Sequence, residues 1–145
     1  MSLYEYVKYR NGVPLGAKGS LPNMLKRSMG ASSFKKFWQH WNPVWGYYLL
    51  KLIYQPIFKI TNRNIAVCIT FAVSGLIHDV IISIIKGNMI FVITPWFFAI
   101  SIFYIILEWA GVSYEKVRFY VRTFINCSLI IICYLISVFV MKYIY

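Results

Sequence analysis

IAVCITFAVSGLIHDVIISII, residues 65–85, is a run of 21 residues in which Asp79 is the only charged side chain. A helix that crosses a bilayer needs about 20 mostly apolar residues, so this stretch predicts a membrane span. Working outward, Ile90 to Leu107 offers 18 residues without a charge, with Pro95 tolerable in the first turns. Phe124 to Met141 is a third apolar run, its ends marked by Arg122 and Lys142. Val44 to Phe58 is apolar as well, but it holds Lys51 and has only 15 residues, which suits an interfacial or re-entrant helix. The expected fold is therefore all-α: a polytopic membrane helical bundle with three spanning helices plus that interfacial or re-entrant segment.

Composition agrees. The chain is 60% hydrophobic and 13% charged, about half the charge of an ordinary soluble domain. A net charge of +11 could suggest a nucleic-acid partner, but 19% aromatic residues set in long uncharged runs exclude that class. Basic residues beside apolar spans instead set orientation and meet anionic lipid headgroups. With three spans, thirteen of the 15 Lys and Arg fall on one side and only Lys86 and Lys142 on the other. That asymmetry predicts an integral, multi-pass membrane protein with a cytoplasmic N-terminus. Residues 1–32 read as a basic, loop-rich cytoplasmic segment broken by glycine and proline, and 33–145 as the membrane domain. Cys68, Cys127 and Cys133 all lie inside apolar runs, without metal-ligand or disulfide spacing, and no signal peptide is visible.

Polar groups in such runs are expensive. An acid at a helix centre costs about 2.5–3.5 kcal/mol on insertion scales, so Asp79 needs a partner, for which Lys51 and Arg122 are candidates. His78 lies about 4–5 Å past the middle of its span. Ser74, Gly75 and His78 share a face, because offsets of three and four align on a helix, and Gly75 leaves a notch beside the imidazole. One reading of His78 is an interhelical hydrogen bond that joins the bundle. The other is a base, since a neutral imidazole can accept a hydroxyl proton near neutral pH. A Ser74-His78-Asp79 triad is rejected, because the Ser74 hydroxyl would bond the carbonyl four residues back. A second polar cluster, Ser33 to Trp45, reads SFKKFWQHWNPVW. Phe34, Trp38, Trp41, Trp45 and Tyr48 follow helical spacing. Asn42-Pro43 marks a helix start by N-cap and first-turn preference. The tryptophans suit the membrane interface.

Phe37-Trp38-Gln39-His40-Trp41-Asn42 resembles a signature of the membrane-bound O-acyltransferase family, and Ser74-Gly75-Leu76-Ile77-His78-Asp79 resembles that family's later S-G-x-x-H motif. The resemblance runs from about Ser33 to Ile85. It implies transfer of an acyl group from a thioester donor, acyl-CoA being the expected co-substrate, to a hydroxyl acceptor, with no resident cofactor or metal. His78 would match the catalytic histidine and Asn42 the second polar position. Trp38, Trp41, Ser74 and Gly75 would contact substrate, and Lys35 and Lys36 could attract donor phosphates. His40 falls at a variable position and inherits no role. Family members are longer, with an N-terminal half that helps enclose a tunnel. The expected partners are thus membrane lipid, donor, acceptor, and either a second copy or another membrane subunit. The alternative is a non-catalytic subunit or relic that binds a partner membrane protein.

Overall fold

The computed structural model describes residues 1–144, and its regular structure is helical, with no strand among those residues. Packing divides the chain into two compact units, Met1–Tyr48 with Leu107–Leu129, and Leu49–Ile106 with Ile130–Tyr145. The first grouping runs across residue 32, because the segment that follows it packs with the N-terminal helices.

In the first unit, the stretch expected to be loop-rich contains two helices, α1 (Leu3–Asn11) and α2 (Ser20–Met29). Gly12, Gly19 and Gly30 sit at helix ends, and Pro14 and Gly16 in the connection between the two helices, so none of them interrupts a helix. Ser2 caps α1 by accepting from Glu5 N–H while the Glu5 carboxylate accepts from Ser2 N–H, a reciprocal capping box. Gly12 closes α1 in the left-handed conformation (φ 78°), which a side chain would resist. Pro22 lies in the first turn of α2, where its missing N–H costs nothing. Then follow α3 (Phe34–His40) and α4 (Pro43–Leu49), which meet at Asn42-Pro43 as the sequence predicts. Tyr6, Val7, Ala31, Phe34 and Phe37 form the apolar core.

The turn between α2 and α3 is fixed by Asn126, which lies near the start of α8 (Phe119–Ile144) and is 0% exposed. Its Nδ2 donates to Met29 O and to Ala31 O, both at 3.1 Å. Its Oδ1 accepts from the Tyr114 hydroxyl. Burial pushes the Tyr114 phenol up to about 12, so it stays protonated and available as that donor. Tyr114 N–H donates to Ser32 O at 3.0 Å, and Arg122 Nη1 to Gly30 O at 3.3 Å. One short turn therefore receives bonds from two separate parts of the chain.

In the second unit, a π-helical turn at Leu50–Tyr54 leads into α5 (Gln55–Ile60). Pro56 has no N–H to give Leu52 O and its ring crowds that carbonyl. A wider turn, closed by Gln55 N–H on Leu50 O, carries the helix past it. α5 and the π turn pack on α6 (Arg63–Lys86). α6 starts at Asn62, whose side chain accepts from Ile65 N–H at 3.0 Å. At 1.5 Å per residue, α6 and α8 are about 36 Å and 39 Å long, enough for a hydrocarbon layer of about 30 Å. Both expose large apolar side chains along their length, Ile69, Leu76, Ile84, Ile131, Leu135 and Phe139 among them, as lipid contact requires. The third apolar run forms α7 (Ile93–Trp109), 17 residues and about 26 Å, shorter than the other two. Its start is set by a partner on α6 and leaves Ile90–Val92 outside the helix.

Asn126→Ala is expected to strip Met29 O, Ala31 O and the Tyr114 hydroxyl of a buried partner and to cost about 1–3 kcal/mol. Limited proteolysis of the detergent-solubilised protein should cut residues 28–33 faster than in the parent. Tyr114→Phe, which removes one bond, should show a smaller change.

Candidate functional site

The residues singled out by sequence fall into two groups, one in each unit. In the first unit, α3 turns Phe34 and Phe37 fully inward. Trp38 meets both rings edge-on, at centroid distances of 6.1 and 5.1 Å, and Trp41 stacks on Phe37 at 5.6 Å and 14°. Trp41 remains 37% exposed, as an interfacial residue would be. The inward face of α3 is thus Phe34–Phe37, and the tryptophans flank it. α3 is also tied to α1: Arg10 Nη1 donates to Gln39 Oε1 at 3.2 Å, and His40 Nδ1 lies 2.8 Å from Arg10 O. A carbonyl only accepts, so Nδ1 carries the proton. Spacing alone gave His40 no task; its structural task is to satisfy a carbonyl at the end of α1.

Asn42 is left-handed (φ 41°) and exposed, and its Oδ1 accepts from Trp45 N–H at 3.2 Å. This is the N-cap role that the Asn-Pro pair predicts. Among the described residues its Nδ2 has no hydrogen-bond partner. Lys35 pairs with Glu108 near the end of α7, which offsets its charge, and Lys36 Nζ donates to Ser32 Oγ at 2.9 Å. The two lysines border an open cleft of about 240 Å³ lined also by Ser33, Glu108, Gly111 and Ser113.

In the second unit, His78 is half-buried on α6, with Nδ1 2.6 Å from Ser74 O. The carbonyl accepts, so Nδ1 donates, and in the neutral ring the basic lone pair sits on Nε2. The ring also lies against Phe97 of α7, with centroids 5.6 Å apart at 49°. Phe97 in turn meets Phe71 at 6.5 Å. Ser74 is buried and contributes its backbone carbonyl to the imidazole. The notch expected at Gly75 is filled by the start of α7. A Cβ there would come within 2.7 Å of Thr94 Cα and 2.9 Å of Ile93 O, so this face is taken up by backbone packing.

Asp79 is 1% exposed, and its partners are neither Lys51 nor Arg122. Its Oδ1 accepts from Val92 N–H at 3.2 Å and Ile93 N–H at 2.9 Å. Its Oδ2 accepts from Thr94 N–H at 2.7 Å and Thr94 Oγ1 at 2.6 Å. The carboxylate therefore caps α7 from outside that helix, satisfying amides that have no partner within it and facing the positive end of its dipole. Pro95 lies in the first turn of α7, where a proline is tolerated, as expected from the sequence. The cap itself left no local signal, because it lies 13–15 residues upstream on another element.

Comparison with known proteins gives one family match. The pattern described as the membrane bound O-acyl transferase family covers residues 21–100, which takes in both groups of residues. No curated protein and no solved structure matches the chain.

The His40 contact generates a pH prediction. Burial is the largest influence on the ring and lowers its pKa below the usual 6.5; the bond to Arg10 O opposes this, and the charges of Arg27, Arg10 and Lys36 add to the lowering. The folded state therefore binds the proton more weakly than the unfolded chain. The stabilisation is complete above about pH 6.5 and is lost as pH falls from there through the folded-state pKa. Protection of the amides at the end of α1, corrected for the intrinsic pH dependence of exchange, should fall on acidification across that window. His40→Gln, which cannot titrate, should give a flat response.

Proposed function

Because the chain belongs to the membrane-bound O-acyltransferase family, we propose that it transfers an acyl group from a thioester donor, acyl-CoA, to a hydroxyl acceptor, with His78 as general base. The observation that carries this reading is the fixed tautomer of His78. With Nδ1 donating to Ser74 O, the lone pair of Nε2 is the group able to take a proton. In the reaction, Nε2 removes the acceptor's hydroxyl proton as that oxygen attacks the thioester carbonyl. The C–S bond then breaks, the thiolate recovers the proton from the imidazolium, and an ester and a free thiol leave. Asn42 is the second residue we assign: its Oδ1 serves the cap of α4, which leaves its Nδ2 to donate a hydrogen bond to the thioester donor. We assign the Trp38–Trp41 segment to the donor's entrance on the basic, cytoplasmic side, in a multi-pass protein with its N-terminus in the cytoplasm. Lys36 is favoured over Lys35 for meeting donor phosphates, since Glu108 already offsets Lys35.

A second reading, a non-catalytic subunit, draws on the caps and ion pair that give Asn42 and Lys35 structural work. The two readings part on turnover. Reconstituted in vesicles with labelled acyl-CoA and a panel of lipid and glycan alcohols, the parent should acylate an acceptor. His78→Ala should lose at least about 100-fold while staying inserted. Asn42→Asp keeps the capping oxygen but deletes the amide donor, so it should lower turnover without weakening α4. Full activity in His78→Ala would remove the assigned base. No turnover by the parent, with a partner protein retained through purification, would favour the subunit.

A further inference from the structure

We propose that Asp79, together with Gly75, is the positioning element that sets the orientation of the His78 imidazole, acting through α7; the catalytic half of this statement rests on the function proposed above. Asp79 follows His78 directly, so its side chain leaves α6 about 100° away from the imidazole's. It instead binds the start of α7 with four hydrogen bonds, to Val92 just before the helix and to Ile93 and both donors of Thr94 in its first turn. Gly75, one turn earlier, lets the α7 backbone come within a distance that any Cβ would block. These two contacts fix where α7 begins and how closely it lies on α6. One turn beyond Ile93, α7 then presents Phe97 to the face of α6 that carries His78, and the two rings touch at 5.6 Å. The imidazole is thus held at Nδ1 by its own helix and along its ring face by a residue whose register Asp79 sets. A base must be held within hydrogen-bond reach of the proton it removes, and small misplacements are costly.

The test uses the full chain in lipid nanodiscs. The sequence has two histidines, His40 and His78, so a His40→Gln background leaves one labelled imidazole for NMR. In that background Asp79→Asn should lower kcat about tenfold with the donor KM within about twofold. Its His78 ring signal should move toward the position seen in Phe97→Leu, which removes the ring contact directly. Thr94→Val, which deletes one of the four bonds, should give a smaller change in the same direction, and it serves if Asp79→Asn does not fold. An unmoved ring signal in both variants overturns the proposal, as does a lower kcat with an unmoved signal. If the parent has no turnover, the catalytic reading fails by itself, and the ring signal alone decides whether Asp79 sets the orientation of His78.

Discussion

A carboxylate buried in an apolar helix has to find donors within reach, and the second unit is arranged around the way Asp79 does so. Its two oxygens take the N–H of Val92, just before α7, and two backbone N–H groups and one hydroxyl from the first turn of that helix. Both sides have a need that water cannot meet in hydrocarbon. The acid would otherwise be an unpaired charge, and the amides would otherwise lack acceptors. Each satisfies the other. The cap also settles why α7 begins at Ile93 rather than at Ile90, where the apolar run begins, and why the neighbouring face of α6 is a glycine.

The first unit meets the same requirement with neutral groups. Asn126 bonds the carbonyls of Met29 and Ala31, Tyr114 bonds Asn126 and Ser32, and Arg122 bonds Gly30. Together they hold the turn that leads into α3, and α3 carries the tryptophans. Gln39 and His40 hold the other end of α3 to α1. The aromatic segment is therefore fixed at both ends by side chains on other elements, while Phe34 and Phe37 anchor its middle.

Much of this could be read from the chain because the signals were local. The apolar runs at Ile65–Ile85 and Phe124–Met141 each lie within long helices, and Asn42-Pro43 starts a helix as its residue types require. The paired motifs around Trp38–Trp41 and Ser74–His78 both lie within the stretch that matches the family. What stayed hidden depends on contacts between distant residues. Three of the four donors to Asp79 are backbone amides, which every residue but proline possesses, and the fourth is the uncharged Thr94 hydroxyl, so no search for a counter-ion could find them. Asn126 gave no sign of its role for the same reason, since its acceptors are the carbonyls of Met29 and Ala31. The helices α1 and α2 were missed because glycine and proline were read as breaking the whole segment, whereas they lie at the helix termini and in the one connection between the helices.

The distance along the chain between Asp79 and its donors also bears on biogenesis. The residues that satisfy the acid are made 13–15 positions after it, so α6 emerges from the ribosome with that group unaccompanied. Lateral release of α6 alone would place a bare carboxylate among acyl chains. On the multi-pass reading proposed above, the two helices, held until Thr94 has followed, would partition as a hairpin, with the acid already matched. The order of synthesis thus favours delivery of α6 and α7 as a pair.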